Sequence, residues 1–318
     1  MAVLDALAAF GQWPLVSALL LPALRILYLL VLALWRSSKQ CQRHHPPSPR
    51  GLPVIGNLHQ LGALPHRSLH ALARTHGPMM LLRLGRVPAV VVSTPELARE
   101  VMRTRDADCC SRPGSPGPRR LSYGLKNVAF APYDDYWREM RKLFVVEMLR
   151  AKRVQSIWHA RETQVDKMIG NLERAQGQPA NLSEEIFAHV DAIIGMTAFG
   201  SVYGSEQFRH KKHFQHVLDE AMDMMASFSA EDFFPDAAGR LVDRLTGMAA
   251  RRERCFRELD GFFQMVIDQH IDPARPRPPE QGGDDLVDVL IAVSKEQRDG
   301  VAFDQDNIKG MILVIKHV

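Results

Sequence analysis

Hydrophobic residues recur every three to four positions along most of the chain, which is the spacing of amphipathic helices. This pattern predicts helices over 134–150, 152–175, 183–199, 207–228, 240–270, 284–297 and 304–316. Residues 66–76 show the same spacing, and Thr94-Pro95 suits the start of a further helix. The stretches MMLLRLG and VPAVVVS, on either side of Gly85-Arg86, predict two short strands. The expected fold is therefore mainly α with a small β-sheet.

Segments rich in proline and glycine interrupt this pattern. Residues 111–126 (SRPGSPGPRRLSYGLK) predict an irregular loop, and residues 272–285 predict a flexible surface loop. Prolines are also dense in HHPPSPRGLPVIGNLHQLG, near the N-terminus. Because proline fixes φ and lacks a backbone donor, this stretch predicts an extended spacer, although a generic linker shows the same composition.

The most apolar part of the sequence lies before this spacer. The segment from Trp13 to Trp35 is about as long as a helix that crosses a bilayer core, and it contains one charged residue, Arg25. Basic residues follow it directly, which predicts that the chain beyond them faces the cytosol. A cleaved signal peptide is the alternative. Bulky Leu34 and Trp35 leave no small-residue cleavage site at its end, so we favour a retained anchor.

These features give a domain organisation. We predict an N-terminal membrane anchor over residues 1–36, a proline-rich linker over 37–56 and a main domain over 57–318. The net charge of +4 and the absence of a basic stripe with interleaved aromatic residues argue against nucleic acid as a partner. Cysteine spacing matches no zinc site, and the residues Cys41, Cys109, Cys110 and Cys255 are expected to be reduced thiols.

The segment YDDYWREMRKLF carries the sharpest chemical pattern. Trp137 and Arg141 are four residues apart, so on a helix they lie on one face and present donors suited to a carboxylate. Arg138 and Lys142 form a second, basic face that is open to an acidic partner. An ordinary amphipathic helix with a core tryptophan has the same spacing, so the pattern alone leaves both interpretations open.

Several segments together resemble a known family. The spacer that ends in Gly56-Asn57, the run from His66 to Pro78, the strand pair and the WREMRK helix occur in this order in plant cytochrome P450 monooxygenases. The segments CCSRPGSPGPRRLSYGLKNVAFAPY, DEAMDMMASFSAEDFFPDAAGRLVDRL, VIDQHIDPARP and DLVDVLI are similar to the branch that acts on amino-acid-derived aldoximes. The resemblance implies a cytochrome P450 fold with heme as cofactor. It also implies insertion of one oxygen atom into a small apolar or phenolic substrate.

The resemblance also implies roles for individual residues. Trp137 and Arg141 match positions that hydrogen-bond the heme propionates, and Arg112 is expected to assist them. Residues 113–126, which include Leu121, match one substrate-contacting region, and residues 222–235, which include Phe228 and Phe233, match another. The basic side of the 137–142 helix matches the face that docks an NADPH-dependent reductase, and the anchor implies the endoplasmic reticulum membrane.

The cysteine that ligates iron in this family is not recognisable here. It lies in a Phe-x-x-Gly-x-Arg-x-Cys-x-Gly loop and pushes electron density toward the iron, and no cysteine of this sequence has that context. The long central helix of the family starts with DNIKGMIL, and the similarity stops after this segment, at Leu313. We therefore expect a chain truncated at the start of that helix, with neither a catalytic residue nor a metal ligand. The alternative is a non-catalytic truncated membrane protein or a pseudogene product.

Overall fold

The structure, a computed structural model, describes residues 45–148, 158–175, 179–204, 211–275, 284–296 and 303–315, with the single positions 25, 155 and 177. The chain forms two compact units, Met1–Thr104 and Arg105–Val318. Apart from Arg25, the predicted anchor over residues 1–36 lies outside the described residues.

A β-hairpin is the centre of the described part of the first unit. Strands β1 (Met79–Leu84) and β2 (Val87–Val92) pair antiparallel, with Met80 opposite Val91. Met80 and Leu82 alternate with more exposed neighbours and are buried, as a strand with one covered face requires. Helices α1 (Pro65–His76) and α2 (Pro95–Arg99) flank the hairpin, and α2 continues as a π-helical turn over Glu100–Thr104. Both helices begin at proline, which has no amide hydrogen to leave unpaired there.

The later part of the predicted spacer is hydrogen-bonded to this hairpin. The Asn57 side chain donates to the Pro49 carbonyl at 3.2 Å and accepts from the Arg83 amide at 2.8 Å. Gly56 has φ +61°, and a Cβ there would lie 2.0 Å from the Arg83 carbonyl oxygen. Glycine is therefore required where the spacer meets β1.

The second unit is helical. Its helices are α3 (Asp106–Cys109), α4 (Pro116–Leu121), α5 (Asp135–Leu143), α6 (Trp158–Arg174), α7 (Leu182–Phe199), α8 (Lys211–Ala226), α9 (Ala230–Phe233), α10 (Ala237–Leu245), α11 (Met248–Ile271), α12 (Leu286–Lys295) and α13 (Gln305–Ile315). A π-helical turn over Phe144–Met148 follows α5, and a 3-10 turn over Gly200–Gly204 follows α7.

Helix α11 is the centre of the core, because α4, α8, α10, α12 and α13 all pack against it. Its inward face carries large side chains with no solvent exposure, such as Leu259 and Phe263. The ends of α7 and α13 contribute Phe199 and Ile312 to the same cluster. Burial of this continuous apolar cluster is the main stabilising contribution to the unit.

The structure confirms a mainly helical fold with a small sheet, and it corrects two predicted elements. Residues 111–126 are not an irregular loop throughout, because α4 spans Pro116–Leu121. The predicted loop is wrong at these positions because Pro116 and Pro118 lie in a first turn, where proline interrupts no helical hydrogen bond. The predicted helix over 240–270 is two helices, because Gly247 has φ +77° and separates α10 from α11.

One described helical stretch, Leu182–Tyr203, is long and apolar enough to span a membrane by length and composition alone. It also packs against α6, α12 and α13. Ala198 and Phe199 near its end are buried in the core. Packing within the unit covers only part of its apolar surface, because Ile186, Phe187 and Val190 remain exposed among the described residues.

A buried ionic cluster joins the end of α11 to the start of α12. Asp285 lies beside Arg275, and its carboxylate is 3.1 Å from Nε2 of His270. The other guanidinium nitrogen of Arg275 donates to Asp288 at 2.8 Å. Burial disfavours the charged form of Asp285, but the hydrogen bond and electrostatic interaction with His270, a backbone hydrogen bond from Asp288 and the charge of Arg275 outweigh it and lower the pKa of Asp285.

This lowered pKa predicts acid sensitivity. A carboxyl group whose pKa is lower in the folded state stabilises the fold above its unfolded pKa of about 3.9 and loses that contribution as the pH falls through the folded pKa. We expect the unfolding free energy to fall more steeply below about pH 4 in the unmodified chain than in Asp285→Asn. Urea unfolding at several pH values measures this, with the exposed Asp219→Asn as control. Equal slopes for the unmodified chain and Asp285→Asn would show that Asp285 is not stabilised in this way.

Candidate functional site

Helix α5 positions the predicted donor pair. It starts at a carboxylate cap, because the Asp134 side chain accepts from the Trp137 amide at 2.9 Å. Arg141 lies one turn beyond Trp137, and its guanidinium carbon is 5.3 Å from the indole ring centroid. This distance allows a cation–π interaction, which orients the arginine side chain. The structure thus brings together the two residues that the spacing placed on one face.

The indole N–H of Trp137 is already used within the chain. It donates to the Val128 carbonyl oxygen at 2.9 Å, and the ring lies 5.3 Å from that of Tyr133. An indole has a single donor, so Trp137 ties α5 to the preceding loop. Arg141, in contrast, is exposed, and the described part of the chain contains no acceptor for its guanidinium group.

Arg112 belongs to the same neighbourhood. The Ser111 hydroxyl accepts from the Tyr133 amide at 3.1 Å, which places the start of the 111–126 segment beside the Tyr133–Trp137 ring pair. The Arg112 guanidinium carbon is 5.6 Å from the Phe130 ring centroid, and among the described residues it too has no carboxylate partner. The three predicted cofactor-binding residues therefore surround one loop.

A further polar residue in this loop was missed by sequence analysis. Asn127 is 1% exposed, and its side-chain oxygen accepts from the Phe130 amide at 2.9 Å. Its Nδ2 is buried without a partner among the described residues. Asparagine is common in loops, so the sequence offers no signal for such a donor.

The chemistry of this donor set fits an anion with two carboxylates. Arg112 and Arg141, which have no carboxylate partner among the described residues, and a buried amide donor lie around this loop, whereas the other basic residues of α5 are paired. Arg138 contacts Asp135 at 3.1 Å, and Lys142 contacts Glu139 at 3.4 Å. The propionate side of a heme therefore fits this loop better than it fits the outer face of α5.

The cysteines do not fit the iron side of a heme. Cys255 is buried between α11 and α8, with its sulfur 3.9 Å from the Val217 carbonyl oxygen. Burial raises the pKa of the Cys255 thiol to about 11, so it is a neutral core thiol rather than a thiolate. Cys109 and Cys110 are exposed, and Cys41 lies outside the described residues.

The predicted substrate residues fall in two places. Leu121 has no solvent exposure and belongs to the core. Its helix α4 packs closely against α8, since a Cβ on Gly117 would lie 2.3 Å from the Met224 carbonyl oxygen. Phe228 and Phe233 instead form a ring pair with centroids 5.5 Å apart, and Phe228 is 66% exposed. The methionine-rich end of α8 lies between these two places in the sequence.

Two other features resemble sites but involve none of the predicted residues. A groove of about 420 Å³ lies between α6 and α7 and is lined partly by Lys167, Glu185 and His189. His270, Asp285 and Asp288 lie close enough to share a metal ion. However, Arg275 contacts both carboxylates, so its guanidinium group takes the place of a cation.

Comparison with known proteins gives the family. The family model for cytochrome P450 matches residues 46–315. The chain belongs to the cytochrome P450 family. Members of this family bind heme, which agrees with the donor set around Trp137 and with the resemblance found in the sequence.

Curated P450 relatives include two oxime monooxygenases. The 4-hydroxyphenylacetaldehyde oxime monooxygenase of Sorghum bicolor is 56% identical over 309 residues, which is 95% of this chain and 58% of the relative. The 2-methylbutanal oxime monooxygenase of Manihot esculenta is 47% identical over 295 residues, 92% of this chain and 57% of the relative. The chain thus spans somewhat more than half of the length of these relatives.

Solved structures agree on the fold of this P450. A zebra fish cytochrome P450 determined with progesterone matches with a TM-score of 0.56 and 22% identity, over 80% of this chain and 55% of that one. At this identity the match supports the P450 fold and nothing finer.

Proposed function

We propose that this P450 acts in a heme-dependent monooxygenase reaction, in which one atom of molecular oxygen is inserted into a small apolar or phenolic substrate. Electrons come from NADPH through a reductase. The observation that carries the proposal is Arg141, which is held against Trp137 by α5 and has no acceptor in the described part of the chain. When bound, heme supplies the oxygen-activating chemistry.

The chain's own residues have distinct roles in this proposal. Arg141 and Arg112 bind the propionate carboxylates through charge-assisted hydrogen bonds. Trp137 assists at the same site, and in this structure it orients Arg141 and fixes the 128–133 loop through its bond to the Val128 carbonyl. These contacts anchor the carboxylate edge of the cofactor, and no cysteine among the described residues is placed to hold its iron.

The proposed substrate class is an aldoxime derived from an amino acid. Both relatives named above are oxime monooxygenases, one for an aromatic and one for an aliphatic oxime. A substrate site lined by apolar side chains suits both the aromatic and the aliphatic oxime, because it makes few polar contacts that would favour one of them. Leu121 in α4 and the Phe228–Phe233 pair are proposed to contribute to that lining.

Two surfaces support the proposed partners. The outer face of α5 carries Arg138 and Lys142, and we assign the reductase to it, although the neighbouring acidic residues reduce its positive charge. Helix α10 exposes Leu241 and Leu245 with Arg240 and Arg244 beside them, which is the composition of a helix at a membrane interface. With the predicted anchor, this favours the endoplasmic reticulum membrane.

Porphyrin binding tests the role of Arg141. We expect Arg141→Leu to weaken binding of protoporphyrin IX by about tenfold, the value of one hydrogen bond to a charged group. The dimethyl ester, which lacks the carboxylates, should bind the variant and the unmodified chain equally. Fluorescence quenching of the chain's tryptophans measures both affinities.

Arg138→Leu is the matched control, because it removes a guanidinium from the same helix that is already paired with Asp135. We expect less than a twofold effect from this change. Equal weakening by both variants would show a general charge effect, and an unchanged affinity in Arg141→Leu would refute the proposed carboxylate contact.

A second candidate, a non-catalytic membrane protein, is favoured by one observation. The buried Cys255 is a neutral thiol, and the other described cysteines are exposed on or next to α3. None of these three described cysteines is placed as the thiolate that the chemistry of the family requires.

A further inference from the structure

Three consecutive residues after α4 have left-handed backbone conformations. Tyr123 has φ +55°, Gly124 has φ +79° and Leu125 has φ +68°. Only glycine adopts this region without steric cost, so the turn is strained at two of its three positions. A strained conformation persists only where the surrounding structure holds it.

The Tyr123 side chain is one part of what holds the turn. Its hydroxyl donates to Oδ1 of Asp260 at 3.1 Å, and its ring packs edge-on against Phe256 with centroids 5.2 Å apart. Burial and the negative charge of Asp260 raise the pKa of Tyr123, so the phenol keeps its proton. The turn is therefore tied to α11 by a hydrogen bond that persists across the physiological pH range.

The same Asp260 oxygen also binds α13. Lys309, which is 6% exposed, places Nζ 2.6 Å from Oδ1 of Asp260 and 5.8 Å from the Tyr123 ring centroid. Asp260 compensates the charge of this nearly buried lysine, and its removal would leave the Lys309 charge without a partner, whereas Asp260 itself is 36% exposed and partly solvated. One carboxylate thus connects the turn, α11 and α13.

Ion pairs hold the segment on either side of the turn. Arg120 binds Glu253 through two hydrogen bonds of 2.8 and 2.9 Å. Lys126 contacts Asp304 at 2.6 Å and Asp306 at 3.3 Å. These groups are substantially exposed, so each pair contributes little alone. They fix the ends of the segment, whereas the Asp260 contacts oppose the strain directly.

We propose that Tyr123, Asp260 and Lys309 form a latch that holds residues 116–126 in a strained backbone conformation. The latch residues are positioning residues, because they set the place of α4 and hence of Leu121. Their relevance to substrate selection rests on the proposed function, which assigns substrate contact to this segment. The strain offsets part of the stabilisation that these contacts provide, so loss of one of them should release this segment before the surrounding helices.

Gly124→Ala is the sharpest test, since it adds strain without removing a contact. A Cβ on Gly124 meets no atom within 4 Å, but the residue keeps its left-handed φ. Gly177→Ala is the matched control, because Gly177 has the same φ of +79° and the same open surroundings. We expect about fivefold faster amide hydrogen exchange over residues 116–126 in Gly124→Ala and no change there in Gly177→Ala.

A second pair of variants tests the latch itself. Tyr123→Phe keeps the ring and removes the bond to Asp260, and we expect at least fivefold faster exchange over residues 116–126. Tyr203→Phe is its control, because the Tyr203 hydroxyl donates to Asp191 at 2.7 Å in another part of the unit. It should leave these amides unchanged.

The location of faster amide hydrogen exchange distinguishes a latch from a contact that only stabilises the whole unit. Faster exchange confined to residues 116–126 supports the latch. Equal acceleration across α11 and α13, or no acceleration in Gly124→Ala, would overturn it. The measurement uses the chain without porphyrin or substrate, so failure of the cofactor proposal leaves this readout unaffected.

Discussion

Phe263→Ala is expected to lower the free energy of unfolding of the second unit by about 3–5 kcal/mol. The Phe263 side chain has no solvent exposure and belongs to the core cluster on α11, the helix against which α8, α12 and α13 pack. Its removal loses the transfer free energy of the ring and leaves a cavity that the surrounding helices fill only partly. Exchange rates of the slowest amides in α11 measure the change without contribution from the first unit.

Phe228→Ala is the matched control for this prediction. It removes the same side chain where 66% of the residue is exposed, so the expected change is within about 0.5 kcal/mol. A similar loss in both variants would mean that α11 is not the centre of the core.

Arg275→Met is expected to cost about 3–5 kcal/mol, because it leaves two carboxylates in a poorly solvated site without their guanidinium partner. The side chains of Arg275 and Asp285 are 7% and 5% exposed, and Asp288 lies within 2.8 Å of the second guanidinium nitrogen. Gly200 packs against the same cluster, so the loss should extend from α12 to the end of α7. Urea unfolding at neutral pH measures the change.

Arg251→Met provides the comparison. Arg251 is paired with Glu220 at 2.8 Å, but the two side chains are 46% and 24% exposed. Exposed pairs of this kind contribute about 0–1 kcal/mol. If Arg275→Met costs no more than Arg251→Met, the buried cluster does not link α11 to α12 as described.

Local sequence signals were sufficient for much of the fold. The hairpin at Gly85-Arg86 follows from two apolar stretches around a turn, and helix α5 follows from the helical spacing of its apolar residues, both of which are local signals. The prediction does not include helix α4, because proline breaks a helix when it lies in the interior. Pro116 and Pro118 both lie in the first turn of α4, where proline is tolerated. The break at Gly247 was missed because the apolar pattern continues in phase across it.

Local sequence signals likewise predict one part of the candidate site, whereas the other part depends on how the helices pack. The spacing of Trp137 and Arg141 predicts that they share a face, because helix geometry alone determines it. No local pattern predicts that the Trp137 N–H is donated to Val128 or that Asn127 has a buried free donor. The contact of Tyr123 with Asp260 joins residues 137 positions apart, and it depends on how the helices pack.

We propose that the described residues bind the carboxylate edge of heme, and that Cys109, Cys110 and Cys255 do not supply a thiolate to its iron. The most direct measurement is the carbon monoxide difference spectrum of the purified chain after titration with hemin and reduction. We expect absorbance of bound heme without the red-shifted Soret band that a cysteine thiolate gives. A thiolate-type band, or an absence of bound heme, would contradict the claim.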